Sequence, residues 1–234
     1  MKVIEKNDYI SIPRLYKKFN FEGSKYDMIN LGELVEEVDI ERGDTDTPIW
    51  TLTKDQGFIP SEEKFKEPVY SEDTSDYKIV PPKHFAYRAP GVNEGYIGYN
   101  HRETNVCISH YYPVFKVKDE SKGKIKPEYL YFALQSEKFR EQASSFLSGG
   151  TARSSLNFAD FCRIKVPVPN LEEQQKVVEE LNSIKKMIKN SEENTKSLKC
   201  SLSLSLSLMR KKWEWKRTLW PSHQNIRLST CLKY

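Results

Sequence analysis

The chain has 234 residues, of which 38% are hydrophobic, 12% aromatic and 30% charged, with a formal net charge of +4. This composition excludes a disordered chain, and no apolar run reaches the roughly 18–20 residues of a membrane-spanning helix. The first residues lack a signal peptide, and Cys107, Cys162, Cys200 and Cys231 form no C-x-x-C pair. We therefore expect a cytoplasmic protein with free thiols, no metal and no cofactor.

The positive charge is concentrated at the C-terminal end. Seven Lys and Arg residues lie between Cys200 and Tyr234, against Glu214 alone. The remainder of the chain is therefore slightly acidic, so any nucleic-acid site in it must be a local patch rather than a basic surface.

The first 169 residues predict a single globular domain preceded by an arm. Residues 1–30 are polar with scattered aromatics, and we interpret them as an N-terminal arm that packs on the domain of residues 31–169. From Asp44 to Val117, short β-branched and aromatic runs are separated by Gly, Pro and Asn. This pattern predicts a small, irregular, mostly antiparallel β structure.

Helices are predicted in the later part of the domain. Pro127 opens a run to Leu134 with apolar residues at i, i+3 and i+4, and a second short helix is predicted from Phe139 to Phe146. Residues 164–169 predict one extended strand that ends in proline. Together these elements indicate an α+β fold.

A long helix is predicted to begin at Asn170. Asn170 is a good N-cap, and Glu173 completes a capping-box pattern. The residues that follow keep a heptad spacing as far as Leu202, with a polar centre at Ser191 and Thr195, and the predicted helix covers residues 170–208. We expect the apolar stripe to pair with another helix, although a helix folded back on its own domain is the alternative. The predicted partner-facing residues are Val177, Leu181, Ile184, Ile188, Leu198 and Leu202.

The spacing changes at the C-terminal end of this stretch. Residues 201–208 repeat Ser-Leu four times, and a period of two is the wrong period to continue a helix. We therefore interpret residues 209–234 as an atypical basic tail. One hypothesis is a frameshift within a repetitive coding sequence; the alternative is a real basic and aromatic segment that grips DNA or a partner.

Two segments are candidates for DNA contact. The first is the glycine-rich stretch of residues 149–155, whose backbone N–H groups, hydroxyls and one arginine can bind phosphate. The alternative is that this stretch forms only a helix cap and a turn. The candidate residues are Gly149, Gly150, Thr151, Arg153 and Ser154. Residues 93–104 offer base-reading side chains, or an ordinary polar hairpin; the candidates are Asn100, His101, Arg102 and Thr104. Lys54 and Arg88 are further candidates for phosphate contacts.

Catalytic motifs are missing from the sequence. The four histidines show no metal-binding spacing, and there is no P-loop, G-x-S-x-G or G-x-G-x-x-G string. Asp55 with Glu62 and Lys64 is compatible with a nuclease, but such a set arises by chance in a chain this charged.

One segment resembles the junction in type I restriction-modification specificity subunits, where a strand ending in proline enters a long helix through Pro-x-Leu-x-x-Gln. The segment is Val166-Pro167-Val168-Pro169-Asn170-Leu171-Glu172-Glu173-Gln174-Gln175. Asn170 stands where the family usually has proline. Residues 31–34, 129–134 and 148–156 resemble further family motifs, in the family's order. The resemblance covers roughly residues 27–205.

The resemblance implies a target recognition domain (31–169) followed by a spacer and dimerisation helix (170–208). The family carries this unit twice and reads a two-part DNA site, whereas one unit stands here, so a homodimer would rebuild the pair. The implied function is sequence-specific recognition of double-stranded DNA without catalytic activity. The implied partners are a methyltransferase subunit and, beyond it, a restriction subunit. Alternatives are a stand-alone DNA-binding regulator and a coiled-coil scaffold that binds no DNA.

Overall fold

A computed structural model describes residues 26–54, 56–65, 73–147 and 155–219. The strands are β1 (Asp27–Asn30), β2 (Val35–Val38), β3 (Trp50–Thr53), β4 (Gly57–Pro60), β5 (Lys78–Val80), β6 (Phe85–Tyr87), β7 (Ile97–Tyr99), β8 (Val106–Ile108), β9 (Val114–Val117) and β10 (Lys165–Val168). The helices are α1 (Leu31–Leu34), α2 (Ser61–Lys64), α3 (Pro127–Gln135), α4 (Glu137–Leu147), α5 (Phe158–Phe161) and α6 (Leu171–Leu219).

The strands form one four-stranded sheet, in the order β2-β9-β6-β7, and three two-stranded sheets, β1-β10, β3-β4 and β5-β8. Every one of these strand pairs is antiparallel. The predicted α+β class with a small, irregular antiparallel β structure is therefore confirmed. Strand β1 lies within the predicted N-terminal arm and pairs with β10, so the folded region begins before Leu31.

The main core is rich in aromatic side chains contributed by strands and helices far apart in the chain. Phe85 stacks on Phe115 with ring centroids 5.0 Å apart, and Tyr87 stacks on Phe161 at 4.7 Å. The Tyr87 hydroxyl donates to the backbone oxygen of Leu156 at 3.0 Å. Burial raises the pKa of Tyr87, which keeps the phenol protonated as a donor. This core joins the main sheet to α3, α4 and α5.

The β3-β4 hairpin lies directly on β7. A Cβ atom at Gly98 would lie 2.7 Å from Leu52 Cδ1 and 2.7 Å from Phe58 Cζ, closer than real Cβ contacts allow. Only glycine therefore lets the hairpin approach β7 so closely. The hairpin brings Trp50 to the loop that follows β7 and Lys54 to Glu94, which precedes β7.

The free edge of β10 is occupied by a side chain. The Gln142 Nε2 atom donates to the backbone oxygen of Lys165 at 2.9 Å, and the backbone N–H of Lys165 donates to Gln142 Oε1 at 3.0 Å. The amide of Gln142 thus makes the pair of hydrogen bonds that a neighbouring strand would make.

Helix α6 begins as the sequence predicts. The backbone N–H of Glu173 donates to Asn170 Oδ1 at 2.9 Å, which is the expected cap. The helix extends past Leu198, as expected, and continues to Leu219, so its 49 residues span about 73 Å. The Ser-Leu repeat lies within this helix, although its period of two is not that of a helical stripe. Leu and Ser both tolerate the helix, and neither Gly nor Pro occurs between residues 171 and 219.

The chain divides into two units, Met1–Leu181 and Asn182–Tyr234. The first unit extends beyond the boundary predicted at residue 169, because Val178 and Leu181 are buried in its core. Within the described ranges, no helix is both long and apolar enough to span a membrane.

Candidate nucleic-acid interface

The loop between β7 and β8 exposes five consecutive residues, 101–105, which we call the recognition loop. It is closed by Asn100, whose side chain has 0% exposure. Asn100 Nδ2 donates to the backbone oxygens of Val80 and Thr104, each at 2.9 Å. Its Oδ1 accepts from the backbone N–H of Arg102 at 3.1 Å. These bonds hold the loop in one conformation.

The burial of Asn100 argues against the base-reading role expected for it. Its amide donates both hydrogens to backbone oxygens and is turned away from solvent. A base edge could reach it only if the loop opened and left Val80 and Thr104 with unsatisfied oxygens. We therefore assign Asn100 a structural role in place of base contact.

Two side chains of the recognition loop rest on aromatic rings. The exposed His101 ring packs edge-on against Tyr99, with centroids 4.4 Å apart, and against Tyr131 at 5.6 Å. The guanidinium of Arg102 lies 3.9 Å from the ring centroid of Trp50 on β3. The expected Thr104 is exposed in the same loop. His101, Arg102 and Thr104 are thus brought together on one surface loop.

Lys83 is a neighbour of this loop that the sequence analysis missed. Its φ angle is 62°, which is uncommon for a residue other than glycine. Its backbone N–H donates to the Asn100 oxygen at 2.9 Å, and its side chain is exposed. The break Pro81-Pro82 signals a turn, but nothing in it marks the residue that follows as part of a site.

The hairpin lysine Lys54 is exposed, as a phosphate-binding residue should be, but it has an acidic partner. Its Nζ lies 3.7 Å from Glu94 Oε2, and both side chains are about half exposed. A surface pair of this kind contributes little to stability. Lys54 can therefore exchange Glu94 for a phosphate at small cost.

Arg88 is partly committed to its own turn. Its Nε donates to the Pro90 backbone oxygen at 2.8 Å, and its guanidinium lies 4.0 Å from the Tyr96 ring centroid. The residue after it, Ala89, accepts a backbone hydrogen bond from Leu156 at 3.2 Å. Leu156 is therefore held next to the Arg88 turn.

The predicted glycine-rich site lies outside the described residues. These candidates are Gly149, Gly150, Thr151, Arg153 and Ser154. Helix α4 ends before them at Leu147, and the chain is described again from Ser155.

The described residues provide no support for the nuclease hypothesis. Asp55 lies outside the described residues, and Glu62 and Lys64 are exposed on α2. Within the parts of the chain that are described, no group of three or more His, Cys, Asp or Glu side chains could hold a metal ion. Burial raises the pKa of the Cys107 thiol to about 11, which disfavours a nucleophilic thiolate.

The stripe predicted on the long helix divides into two parts. Leu181 is 2% exposed and belongs to the main core, and Val177 packs against that core. For Leu181 the expected partner contact is wrong, because its own domain buries it. Val177 is only half-buried, and its partner contact stays a prediction. Ile184 and Ile188 are half-buried, and Leu198 is 66% exposed. Leu202 lies on the helix, but its side chain is outside the described part.

The start of the helix is held to the domain by a buried amide. Gln174 is 0% exposed; its Nε2 donates to the backbone oxygens of Lys124 and Pro169, at 2.8 and 2.7 Å. Its Oε1 accepts from the backbone N–H of Lys126 at 2.8 Å. The glutamine of the Pro-x-Leu-x-x-Gln pattern therefore joins the helix to the segment that precedes α3.

Comparison with known proteins gives one family match. The family described as "Type I restriction modification DNA specificity domain" matches residues 23–199. None of the curated proteins searched matches the chain.

Three solved structures are similar to the chain. One comes from work on complex assembly and conformational transition of the type I R-M system, with 13% identity, a TM-score of 0.46 and coverage of 88% of this chain and 48% of that one. The HsdS subunit from Thermoanaerobacter tengcongensis has 16% identity, a TM-score of 0.45 and coverage of 76% and 43%. The type I S subunit from M. genitalium has 15% identity, a TM-score of 0.46 and coverage of 86% and 49%. The chain thus spans about half the length of each.

Proposed function

The chain belongs to the family of type I restriction-modification DNA specificity domains, and on that premise we propose that it recognises a DNA sequence on behalf of partner subunits that methylate and cleave. The observation that carries this proposal is the family match over residues 23–199. In this role the chain supplies binding and orientation, and it needs no catalytic group of its own.

The recognition loop supports DNA binding through its chemistry. Imidazole, guanidinium and hydroxyl groups at residues 101, 102 and 104 lie together on the surface, and these groups pair with base edges in a major groove. The loop rests on a buried amide and on aromatic rings, so it enters a groove with little loss of conformational freedom.

The contacts to the DNA backbone are assigned to basic groups of the same domain. Lys54, Lys83 and Arg88 are assigned to phosphates, where they position the domain without reading sequence. The glycine-rich residues Gly149, Gly150, Thr151, Arg153 and Ser154 are assigned to the same task, since backbone N–H groups and hydroxyls suit phosphate oxygens.

The partners follow from the family and from the long helix. A methyltransferase subunit binds the chain, and a restriction subunit joins that complex. Two copies of the chain pair through Ile184, Ile188, Leu198 and Leu202, which would set two recognition loops on one duplex. The complex works in the cytoplasm, where the cysteines stay reduced.

Duplex binding at several salt concentrations tests the proposal. The full chain should bind a labelled duplex, and log K should fall linearly with log salt between about 50 and 200 mM. Lys83→Ala should reduce that slope by about 1, as the loss of one phosphate contact does. Lys176→Ala is the matched control, because Lys176 lies on helix α6 with its Nζ 2.7 Å from Glu172. A chain that binds no duplex, or binds independently of salt, contradicts the proposal.

A further inference from the structure

Two arginines of the described domain lie 4.0 Å or less from an aromatic ring centroid, and they differ in what their guanidinium groups are free to do. Arg102 lies 3.9 Å from the Trp50 ring centroid, and Arg88 lies 4.0 Å from that of Tyr96. Arg88 also donates its Nε to the Pro90 oxygen. Arg102 has neither a carboxylate partner nor a side-chain hydrogen bond among the described residues. Its N–H groups are all available to a ligand.

We infer that Trp50 is a positioning residue that holds Arg102 ready to read a guanine in the major groove. This inference rests on the proposed function and names the ligand of its recognition loop. A guanidinium stacked face-on keeps its N–H edge open, and that edge matches the two acceptors O6 and N7 of guanine.

The backbone on both sides of the stack is fixed. On one side, the backbone N–H of Arg102 donates to buried Asn100. On the other, Trp50 pairs with Pro60 in the β3-β4 hairpin, and the preceding residues are tied to β8 by the Cys107 N–H, which donates to the Pro48 oxygen at 3.1 Å. The ring and the guanidinium therefore meet because strand β3 presents Trp50 and the loop closed by Asn100 presents Arg102.

This fixed orientation favours a base over a phosphate as the ligand. A phosphate accepts hydrogen bonds from many directions, and a mobile lysine or arginine satisfies it equally well. A guanine is read only when the guanidinium plane is aligned with the base, so holding that plane in advance raises discrimination. Lys83, whose backbone N–H donates to the Asn100 oxygen beside the loop, suits a neighbouring phosphate.

The test uses the full chain and duplexes selected from a randomised library. Each guanine of the selected site is replaced in turn by 7-deazaguanine, which lacks only the N7 acceptor. With the wild-type chain, one position should show a loss of binding of about 5- to 150-fold. Arg102→Ala should bind the unmodified site correspondingly more weakly, and the same replacement should then have no further effect.

Trp50 is tested by graded substitution on the same duplexes. Trp50→Phe should lower the effect of 7-deazaguanine at that position by about 2-fold, and Trp50→Leu by about 5-fold, because a smaller or absent π-face holds the guanidinium less well. Tyr96→Leu is the matched control, since it removes the ring beneath Arg88 and should leave the 7-deazaguanine pattern unchanged. Thermal unfolding identifies which variants are folded, and Trp50→Phe remains informative if Trp50→Leu is not.

The outcomes separate the inference from the function on which it rests. A wild-type chain that selects no sequence overturns the proposed function, and the inference with it. If the chain selects a sequence but Arg102→Ala weakens all duplexes equally, Arg102 contacts phosphate and the guanine assignment is wrong. If folded Trp50 variants retain the full effect of 7-deazaguanine, Trp50 does not position Arg102.

Discussion

The side-chain oxygen of Gln174 accepts a hydrogen bond from the backbone N–H of Lys126 at 2.8 Å, across 48 residues of sequence. The same side chain donates to the Lys124 and Pro169 oxygens, so one buried amide satisfies three backbone groups. The hydrogen bond to the Pro169 oxygen is buried, and those to Lys124 and Lys126 are partly buried.

Gln174→Ala should lower the free energy of unfolding by roughly 1–3 kcal/mol, because the buried Pro169 oxygen and two partly buried backbone groups lose their partner. Urea denaturation of the full chain measures this change. Gln175→Ala is the control. Gln175 contacts Lys126 Nζ and Glu179, and its replacement should lower the free energy of unfolding by less than about 1 kcal/mol. Equal effects for both variants would show that the buried amide does not anchor the helix.

Asn100→Ala should destabilise the domain by about 1–3 kcal/mol, since the Val80 and Thr104 oxygens lose a buried donor. DNA affinity should fall by a similar factor for every sequence, because the loop loses its shape. Asn105→Ala, in the same loop but exposed, should leave stability unchanged. An Asn100→Ala chain of normal stability that prefers a different base would restore the base-reading role predicted from the sequence.

Leu198→Lys should convert the proposed dimer to a monomer while the domain stays folded, since Leu198 is 66% exposed. Leu181→Lys should instead unfold the domain, by more than about 3 kcal/mol, because a charge replaces a core side chain. Sedimentation reports the association state and urea denaturation the stability. A wild-type chain that is already monomeric at micromolar concentration argues against the dimer.

His84 should make stability fall as the pH drops below 6.5. Burial lowers its pKa from the ordinary 6.5, the hydrogen bond to the Pro82 oxygen opposes this shift, and Lys116 and Lys122 lower the pKa further. The unfolded chain therefore binds the proton first, and the stability present above pH 6.5 is lost as the pH falls through the interval down to the lowered pKa. His84→Gln should show a shallower fall in Tm than the wild type; parallel curves would exclude His84 as the cause.

The start of α6 could be predicted because its signal is local. Asn170 and Glu173 lie three residues apart, and the cap they predict depends on nothing beyond that turn. The partner of the stripe could not be predicted in the same way. An apolar stripe at heptad spacing packs equally well on the same domain or on another helix. Only the fold shows that Leu181 packs on its own domain.

The recognition loop shows where sequence reasoning ends. The sequence predicts that His101, Arg102 and Thr104 lie on an exposed loop, because polar residues between strands are usually exposed. The burial of Asn100 depends on Val80, twenty residues earlier, and the Arg102 stack depends on Trp50 in another sheet. Contacts between residues this far apart in the sequence cannot be predicted from the local composition.

The side-chain amide of Gln142 protects part of a strand edge. A strand edge with open N–H and C=O groups is a template on which another chain can add a strand, and proteins protect such edges against aggregation. Because Gln142 already occupies both groups of Lys165, strand β10 offers an incoming chain no free pair at that point. One polar side chain, rather than a further strand, thereby protects this part of the edge against the addition of a strand.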